Sequence, residues 1–316
     1  MSVIRKSSSP PCRIAADLLP VLFLALLASC TFDLDYDKYA IVYGISDYPP
    51  TGISSGDLTV ADADAQAMHD LLVEQGFEVI LRKNDQATPA NLADDLINPA
   101  SGDFFDVGSV ATLDDLFVFY FSGHGGQKDS GTGGGTENAP DSDREEEYIS
   151  LYDGELFDDQ LASLLRTIPC ARRVVILDAC FSGGFISNSL EADAIPPEYS
   201  EGPNGIFGTL GNAIYLYANF EDYGSDIPPG EALVIAATGE QDVAYETDDN
   251  GVMTGFLLES ATKGDRNFDG YITVSEAYFY IYRNINRRFN MLYGDSGYSF
   301  FPHISGGPVD YILFTK

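Results

Sequence analysis

The sequence predicts an α/β fold in which a mostly parallel central sheet carries helices on both faces. From Lys38 onward, short apolar runs alternate with stretches of helical periodicity, which is the pattern of strands and crossover helices in a parallel sheet. The run Leu116–Phe121 has no polar break, as expected of a central strand that is buried on both sides. With 316 residues, 45% of them hydrophobic and 21% charged, the chain has ordinary globular composition and needs no disulfide to fold.

The predicted elements begin with the strand Tyr39–Tyr43 and the helix Ala61–Gln75. Apolar residues recur at helical spacing in this helix, and Gly76 gives the stop signal at its end. A second helix starts at Thr88, which serves as its cap, with Pro89 in the first turn. The other predicted strands are Phe77–Leu81, Leu116–Phe121, Val174–Leu177, Leu233–Ala237 and, at an edge, Tyr311–Phe314.

Two stretches interrupt this alternation. Gln127–Glu147 is rich in Gly, Ser and acidic residues and predicts a mobile surface loop. Ser187–Gly230 contains several prolines and aromatic residues and predicts an insertion with some structure of its own. We therefore expect one domain over residues 38–316, with the insertion at 187–230.

The charge balance is strongly acidic. The chain has 17 Lys and Arg against 49 Asp and Glu, which gives a formal net charge of -32. The field around such a protein repels phosphate backbones and anionic lipid headgroups. The composition therefore excludes nucleic acid as a partner.

Residues 1–29 have the layout of an export signal. Basic residues precede an apolar run, Leu18–Ala28, which is too short to span a bilayer, since spanning takes about 20 apolar residues. The ending LASC, which closes at Cys30, resembles the lipobox of bacterial lipoproteins, in which the cysteine is acylated. The resemblance implies a signal peptide over 1–29, lipidation of Cys30, a tether over 30–37 and anchoring in the cell envelope, at the outer membrane or a periplasm-facing membrane. A soluble secreted protein that is cleaved nearby is the alternative.

Two cysteines lie in the predicted domain, Cys170 and Cys180. The segment Arg173–Asp178 between them is predicted as a strand, and ten residues of strand span about 33 Å, far beyond the reach of a disulfide. We therefore expect two free thiols. Cys170 is most simply a small buried hydrophobic residue, whereas Cys180 stands at the end of a strand.

A thiol and an imidazole are predicted at the same edge of the sheet. The strand Leu116–Phe121 leads to His124 in a Gly-rich turn, and the strand Val174–Leu177 leads to Cys180 in another. The carboxyl ends of parallel strands share one edge, where catalytic groups gather. A free thiol has a pKa of about 8.5 and needs an imidazole as its base, which can then protonate a leaving amine. The pair predicts a dyad with Cys180 as nucleophile and His124 as base.

The flanking glycines support a catalytic interpretation. They let the backbone approach a substrate, and the N–H groups of Gly125 and Cys180 are candidates for an oxyanion hole. Taken alone, a histidine after a strand is more often a hydrogen-bonded turn residue, and a buried cysteine is usually inert. The two together, each at a strand end, favour catalysis. His69, on a helix, and His303, in a loop, carry no predicted role.

Several sequence blocks carry a resemblance to a known family. FSGHG at Phe121–Gly125 and DACFSGG at Asp178–Gly184 resemble the His and Cys boxes of caspase-like cysteine peptidases, nearest to bacterial metacaspase-type members. The order of the boxes agrees, and KYAIVYGISDY at Lys38–Tyr48 and DADA at Asp62–Ala65 are further matches. The resemblance extends over about residues 38–302. It implies a caspase-hemoglobinase fold, a Cys–His dyad and endopeptidase activity.

Asp178 is the candidate residue for substrate selection. Strand alternation places it on the same face as Cys180, so that a carboxylate would stand beside the thiol. A partly buried carboxylate needs a cation, which a substrate Arg or Lys would supply. Metacaspases have Asp where caspases that cut after Asp have Gln, so the resemblance also implies cleavage after basic residues. The alternative is that Asp178 only hydrogen-bonds the turn that follows it.

The segment after Cys180 limits self-processing. No Lys or Arg occurs between Cys180 and Lys263, whereas caspases are commonly activated by cleavage beyond the nucleophile. An enzyme that cuts after basic residues cannot cut itself there. We therefore expect activity without linker cleavage, and any self-cleavage elsewhere, for instance after Lys128 or Arg144.

Residues 265–276 resemble a calcium-binding EF-hand loop. Its oxygen-bearing residues stand at loop positions one, three, five, seven, nine and twelve, where they can surround a hard cation. Gly270, at position six, permits the sharp turn, and Glu276 can bind through both carboxylate oxygens. Phe268 at position four is unusual, and the loop is single where sensors have pairs. A lone extracellular site would bind a structural Ca²⁺ with a Kd of ~10⁻⁴ to 10⁻³ M; the alternative is an acidic turn held by its own Asx hydrogen bonds. The candidate ligands are Asp265, Asn267, Asp269, Tyr271, Thr273 and Glu276.

The leading functional hypothesis is a lipid-anchored cysteine endopeptidase that acts on proteins or peptides and cleaves after Arg or Lys. It requires no organic cofactor, and Ca²⁺ is the candidate ion. The alternative is a catalytically inactive caspase-fold module that binds calcium on the cell envelope, because a fold alone does not establish activity. A hydrolase or transferase that acts on a non-peptide acyl group is a third hypothesis.

Overall fold

The structure is a computed structural model that describes residues 36–50, 56–97, 107–129, 145–186, 227, 232–239, 242–294, 297, 299–305 and 310–316. The chain separates into two units, Met1–Tyr36 and Asp37–Lys316. The predicted signal peptide, Cys30 and nearly all of the 30–37 tether lie outside the described residues, as does the 187–230 insertion apart from Ile227. Within the described part of the chain, no helix is long and apolar enough to cross a bilayer.

The described segments form short strands and helices in alternation over the first half of the second unit. The strands are β1 (Lys38–Gly44), β2 (Glu78–Lys83), β3 (Leu116–Ser122), β4 (Gly125–Asp129), β5 (Glu145–Leu151), β6 (Gly154–Phe157), β7 (Arg172–Asp178), β8 (Leu233–Ala236), β9 (Tyr271–Thr273), β10 (His303–Ile304) and β11 (Ile312–Thr315). The helices are α1 (Ala61–Glu74), α2 (Pro89–Ile97), α3 (Val107–Val110), α4 (Asp158–Leu165), α5 (Val252–Lys263), α6 (Val274–Asn284) and α7 (Met291–Tyr293), with single 3₁₀ turns at Asn84–Gln86 and Ser182–Phe185 and a π-helical turn at Ile285–Asn290.

The central sheet of the described residues has six strands in the order β10-β8-β7-β3-β1-β2. All neighbouring pairs are parallel except β10 and β8, which are antiparallel. The mostly parallel sheet expected from the apolar runs is therefore confirmed. Two parallel strands must be joined by a crossover, which is usually a helix. The parallel pairing of the strands therefore explains why strands and helices alternate along the chain.

Both faces of this sheet are buried, which explains the unbroken apolar runs. Every residue of β3 is buried. One face packs against α1 and α5, and there the Tyr120 and Thr254 hydroxyls are 2.6 Å apart. The opposite face forms one hydrophobic core with α2, α4 and the antiparallel strands β5 and β6. Buried residues that represent that core are Ile41, Phe117, Phe119, Val175, Leu92, Ile149 and Leu161.

The local signals for the first two helices are present in the structure. After α1 the chain turns at Gly76 with a φ of +83°, a left-handed conformation that favours glycine. Thr88 caps α2, because its hydroxyl oxygen accepts a hydrogen bond from the Asn91 N–H at 3.1 Å. Pro89 occupies the first turn, as predicted.

The interpretation of Gln127–Glu147 as a surface loop was wrong at both ends. Gly125–Asp129 and Glu145–Leu151 form an antiparallel pair, and Gly154–Phe157 adds a third strand. An antiparallel sheet exposes one face to water, so polar residues and glycine are compatible with it. Residues 130–144 lie outside the described part of the chain.

The predicted edge strand at Tyr311–Phe314 has another partner. The strand there, β11, pairs antiparallel with β9, within the EF-hand-like loop, and not with the central sheet. Among the described residues, the central sheet has β2 at one edge and β10 at the other, and β10 contains His303, a residue predicted in a loop. An apolar segment such as Tyr311–Phe314 predicts a strand but does not identify the strand that it pairs with, and β10, with two residues, is too short to show a pattern.

Replacing Gly44 by Ala should destabilise the fold by about 1 to 3 kcal/mol. A Cβ on Gly44 would lie 2.4 Å from the Ala61 carbonyl oxygen and 2.5 Å from the Ala65 Cβ, so β1 and α1 would have to separate. The measurement is urea unfolding followed by circular dichroism.

The matched control is Gly255→Ala on α5. There the nearest atom would be the Asn250 Cβ at 3.5 Å, an ordinary contact. Removing a helical glycine should stabilise this variant by up to about 1 kcal/mol. Equal unfolding free energies for the two variants would contradict the packing of β1 on α1.

Candidate active site

Strands β3 and β7 bring the predicted nucleophile and base to one edge of the sheet. The strands are parallel and in register, and Ser122 pairs with Asp178 at their carboxyl ends. His124 and Cys180 each follow two residues beyond this last pair. A Cβ on Gly125 would lie only 2.1 Å from the Cys180 carbonyl oxygen, so the two turns are in direct contact. The residues predicted as oxyanion donors, Gly125 and Cys180, are therefore neighbours.

The imidazole of His124 is held from two sides. Its Nε2 lies 2.8 Å from the Gly56 carbonyl oxygen, which can only accept a hydrogen bond. In the neutral ring, Nε2 therefore carries the proton and Nδ1 is the basic nitrogen. The ring packs on Tyr48, with centroids 4.8 Å apart, and the Tyr48 Oη accepts a hydrogen bond from the His124 N–H at 2.9 Å.

The thiol of Cys180 is mostly buried and is not hydrogen-bonded to the imidazole of His124. Burial raises the pKa of the Cys180 thiol, the Ala244 N–H lowers it, and the Asp178 and Glu246 carboxylates raise it further. In this conformation the thiol is therefore protonated near neutral pH. Ionisation requires that Nδ1 of His124 come within hydrogen-bond distance of the sulfur.

A strained turn orients the nucleophile. Phe181, directly after Cys180, has φ 58° and ψ 14°, a left-handed conformation that costs a non-glycine residue on the order of 1 kcal/mol. The Phe181 N–H donates to the Asp242 carbonyl at 3.0 Å, and the Thr238 N–H donates to the Ser182 hydroxyl at 3.3 Å. The loop after β8 therefore holds the turn in place.

Asp178 does not bond the turn that follows it, contrary to the alternative above. Its Oδ2 accepts hydrogen bonds from the N–H of Thr254 at 2.9 Å and from the Thr254 hydroxyl at 2.6 Å. Thr254 lies in the first turn of α5, where free N–H groups favour a negative charge. Asp178 thus joins the end of β7 to the start of α5.

A second buried carboxylate, Asp64 on α1, faces the same point. It accepts hydrogen bonds from the Asn250 side-chain amide at 2.8 Å, the Gly251 N–H at 2.9 Å and the Ser122 hydroxyl at 3.3 Å. A Cβ on Gly251 would lie 2.5 Å from Asp178 Oδ2 and 2.9 Å from Asp64 Oδ2. Gly251 is therefore required where the two carboxylates meet.

The two carboxylates have no cationic partner in the described part of the chain. Among the described residues, no Lys or Arg side chain forms an ion pair with Asp64 or Asp178. Burial raises the pKa of Asp178 to about 6 and that of Asp64 to about 7, and the charge of Asp178 contributes to the shift of Asp64. The site beside Cys180 therefore holds carboxyl groups that are partly protonated near neutral pH and that a cation would stabilise as anions.

Asp64 and Gly56 were not predicted as site residues. Asp64 lies in the DADA block that carried the family resemblance, so the signal was present but was not assigned to the site. Gly56 contributes only a backbone carbonyl, which leaves no side-chain pattern in a sequence. Tyr48 ends the block Lys38–Tyr48 and gave no sign of its contact with His124.

The other described His and Cys residues, His69, His303 and Cys170, lie outside the two turns of this site. His69 bonds its neighbour Asp70 through Nδ1 at 2.8 Å on an exposed part of α1, and His303 lies in β10. Cys170 and Cys180 are both free thiols, as expected. Cys170 is fully buried, and burial raises the pKa of its thiol to about 11, which agrees with an inert core residue.

The EF-hand-like loop lies between α5 and α6. The Asx hydrogen bonds of the alternative interpretation are present: the Asp269 N–H donates to Asn267 Oδ1 at 3.0 Å, and the Tyr271 N–H donates to Asp269 Oδ1 at 2.8 Å. In the part of the chain that the structure describes, no three His, Cys, Asp or Glu residues are grouped so as to hold a metal. The loop residues predicted as ligands are Asp265, Asn267, Asp269, Tyr271, Thr273 and Glu276, and all six lie in the described part.

The sheet, with the His and Cys turns at the ends of two adjacent strands, is that of a caspase-like protein. The sequence model of the caspase domain family matches residues 37–305, so the chain belongs to the caspase domain family, whose members are cysteine peptidase-like hydrolases. The comparison with curated protein sequences gave no significant match.

The fold is also similar to a solved structure. Protein GSU0716 from Geobacter sulfurreducens superposes with a TM-score of 0.57 at 21% identity, over 88% of this chain and 98% of that one. At this identity the likeness concerns the fold alone. The caspase-hemoglobinase fold implied by the sequence blocks is confirmed by the match to the caspase domain family and by the mostly parallel six-stranded sheet.

Replacing Asp64 by Asn should flatten the dependence of stability on pH between pH 5 and 8. The folded pKa of Asp64 is raised to about 7, whereas an unfolded Asp has a pKa of about 3.9. The protonated Asp64 carboxyl therefore stabilises the folded state fully below the unfolded pKa, and this stabilisation is lost as the pH rises through the folded pKa. Between pH 5 and pH 8 the free energy of unfolding should fall by on the order of 2 kcal/mol for this reason. Asn cannot ionise, so the variant lacks this loss. Urea unfolding at pH 5 and pH 8 measures it.

Asp85→Asn, on the exposed turn Asn84–Gln86, is the control and should keep the wild-type slope. If Asp64→Asn loses as much stability between the two pH values as the wild type, Asp64 is not the buried titrating group.

Proposed function

We propose that the protein is a cysteine endopeptidase that cleaves proteins or peptides after Arg or Lys, with Cys180 as nucleophile and His124 as base. The observation that carries the proposal is the contact between the His and Cys turns at the ends of β3 and β7, where Gly125 lies against the Cys180 carbonyl. The Gly56 carbonyl adds to it, because it fixes the imidazole tautomer in which Nδ1 is the base.

The proposed reaction uses groups of this chain only. Nδ1 of His124 takes the proton of the Cys180 thiol, and the thiolate attacks the scissile carbonyl carbon. The N–H groups of Gly125 and Cys180 donate to the resulting oxyanion. His124 then gives its proton to the leaving amine as the C–N bond breaks, and water hydrolyses the thioester with the imidazole again as base.

The preference for a basic residue rests on the two unpaired carboxylates. Asp64 and Asp178 are buried side by side near the thiol, and no Lys or Arg of the described segments pairs with them. A guanidinium offers five N–H donors and a positive charge, so it would replace both the bound proton and the donors of residues 250–254. Substrate binding would therefore release a proton near neutral pH, since the pKa of Asp64 is raised to about 7.

The location proposed for this enzyme is the cell envelope. The LASC ending at Cys30 supports export and attachment through a lipid, and the acidic charge agrees with protein substrates in preference to nucleic acid. The membrane would thus be a partner through the anchor and not through the folded domain.

The alternative, an inactive module with a peptidase fold, is favoured by one observation. The Cys180 thiol has a raised pKa and no hydrogen bond to His124 in the resting conformation. Peptidases whose dyad assembles on substrate binding have this property too, because catalytic hydrogen bonds tighten in the substrate complex. Turnover separates the two functions directly.

Cys180→Ala and His124→Ala should each lower kcat/KM on peptides with Arg before the scissile bond by roughly 10³-fold or more. The variants remove the nucleophile and the base and leave the sheet intact. The assay is release of a fluorophore from Arg, Lys, Ala and Asp peptides, in which only the first two should be cleaved by the parent.

Cys170→Ala is the matched control, since it removes the other thiol at a fully buried position. It should retain parental activity at a temperature where it is folded. Parental turnover by Cys180→Ala, or equal cleavage of Asp peptides by the parent, would contradict the proposal.

The active protein should remain uncut between Cys180 and Lys263. That segment holds no Lys or Arg. Lys128 is also a poor site, because it lies in the β4–β5 ladder, pairs with Glu155 and packs over the Tyr148 ring at 5.2 Å. Of these two candidate sites, Arg144 is therefore the one where we expect any self-cleavage. Intact-mass analysis of the incubated protein checks this, and cuts after Asp193, Asp222 or Asp226 would contradict a basic specificity.

A further inference from the structure

The loop Asp265–Glu276 has the backbone of an ion-binding EF-hand loop. Gly270, at position six, has a φ of +88°, which a residue with a side chain adopts only at a cost. Thr273 caps α6, and a capping box joins it to Glu276. The segment Tyr271–Thr273 is a strand, and it pairs with β11 as its antiparallel partner. The single loop therefore has a partner strand within its own chain.

An independent observation points to a cation ligand for this loop. Asp265, at position one, has a side chain only 4% exposed, and its Oδ1 is buried without a hydrogen-bond partner. The other oxygen, Oδ2, accepts from the Gly270 N–H at 3.3 Å, which aims the carboxylate into the loop. Lys316 approaches Oδ2 only to 3.8 Å and is half exposed. A buried carboxylate oxygen without a partner is costly, and a bound ion would offset that cost.

The other oxygens of the loop are compatible with an ion. Glu276 accepts hydrogen bonds from the Arg266 N–H at 3.2 Å through Oε1, and from the Thr273 N–H at 3.1 Å and the Thr273 hydroxyl at 3.4 Å through Oε2. An ionised carboxylate has about four acceptor positions, so a bound cation would replace the long hydrogen bond from the Thr273 hydroxyl. The guanidinium of Arg266 packs over the Phe279 ring at 5.2 Å. Acidic side chains thus outnumber the cations at the loop.

We propose that this loop binds one Ca²⁺, through the side chains of Asp265, Asn267, Asp269, Thr273 and Glu276 and the carbonyl of Tyr271. The acidic side chains of the described loop are not grouped at metal-binding spacing in the structure. Binding of the ion would therefore draw them together. All of these ligands are oxygens, which suits calcium and not a softer metal.

The ion has a structural role in this proposal. The loop follows the C-terminal end of α5, whereas Thr254, which binds Asp178, lies at its N-terminal end. A helix of 12 residues is about 18 Å long, so the ion is remote from the Cys180 turn. Calcium would fix α5, α6 and the β9–β11 ribbon to one another. The proposal does not depend on whether the protein is a peptidase.

The test is calorimetric titration of CaCl₂ into the full chain carrying Cys180→Ala, which prevents self-cleavage, together with thermal unfolding. The expected Kd is ~10⁻⁴ to 10⁻³ M, with a rise in Tm of about 3 °C at tenfold that concentration. Mg²⁺ should raise Tm less, because it demands a smaller octahedral site.

Two variants separate the loop from general charge effects. Glu276→Gln keeps a capping residue that suits the box but loses the charge, and it should weaken Ca²⁺ binding at least tenfold. Glu74→Gln, at the exposed end of α1, should bind like the parent. The readout is the change in Tm that calcium induces in each variant, so a variant that is less stable without calcium can still be compared with the parent. No heat and no shift in the parent, an undiminished shift in Glu276→Gln, or an equal effect of Mg²⁺ would each overturn the proposal.

Discussion

The parallel pairing of β3 with β7 is the constraint on which the rest of the site depends. Both strands are buried in the middle of the sheet, and their register places Ser122 beside Asp178. A slip of one residue would turn the apolar side chains of either strand to the wrong face, so the core holds the register. His124 and Cys180 inherit their positions from that register. The chemistry therefore needs no further element to bring the two turns together, and loops have only to orient the side chains.

The orientation comes from the neighbouring elements at a cost in stability. The Gly56 carbonyl and Tyr48 hold the imidazole, and the chain after β8 holds the strained turn at Phe181. Burial beneath the start of α5 raises the pKa of both Asp64 and Asp178, and no cation of the described residues pairs with either carboxyl. Such groups oppose folding once they ionise. Their presence next to a thiol agrees with the proposed positively charged substrate, whereas it contributes nothing to stability once they ionise.

The fold class could be predicted because buried parallel strands leave continuous apolar runs, and the two catalytic candidates because they follow such runs in Gly-rich turns. Asp64 could not be assigned in this way, since it is 114 positions before its partner Asp178 and only the packing of α1 on β3 brings them together. Gly56 acts through a backbone carbonyl, which any residue type supplies. The partner of β11 was missed because a strand pattern carries no information about pairing, and the ends of Gln127–Glu147 were missed because their polar pattern also suits an antiparallel edge.

A crystal structure of the protein after reaction with a peptidyl-Arg chloromethyl ketone tests the central claim most directly. We expect a thioether bond at Cys180, Nδ1 of His124 turned toward the sulfur with Nε2 still on the Gly56 carbonyl, and the guanidinium against Asp64 and Asp178. A reagent that leaves Cys180 unmodified, or an adduct in which the imidazole faces away from the sulfur, would contradict the account.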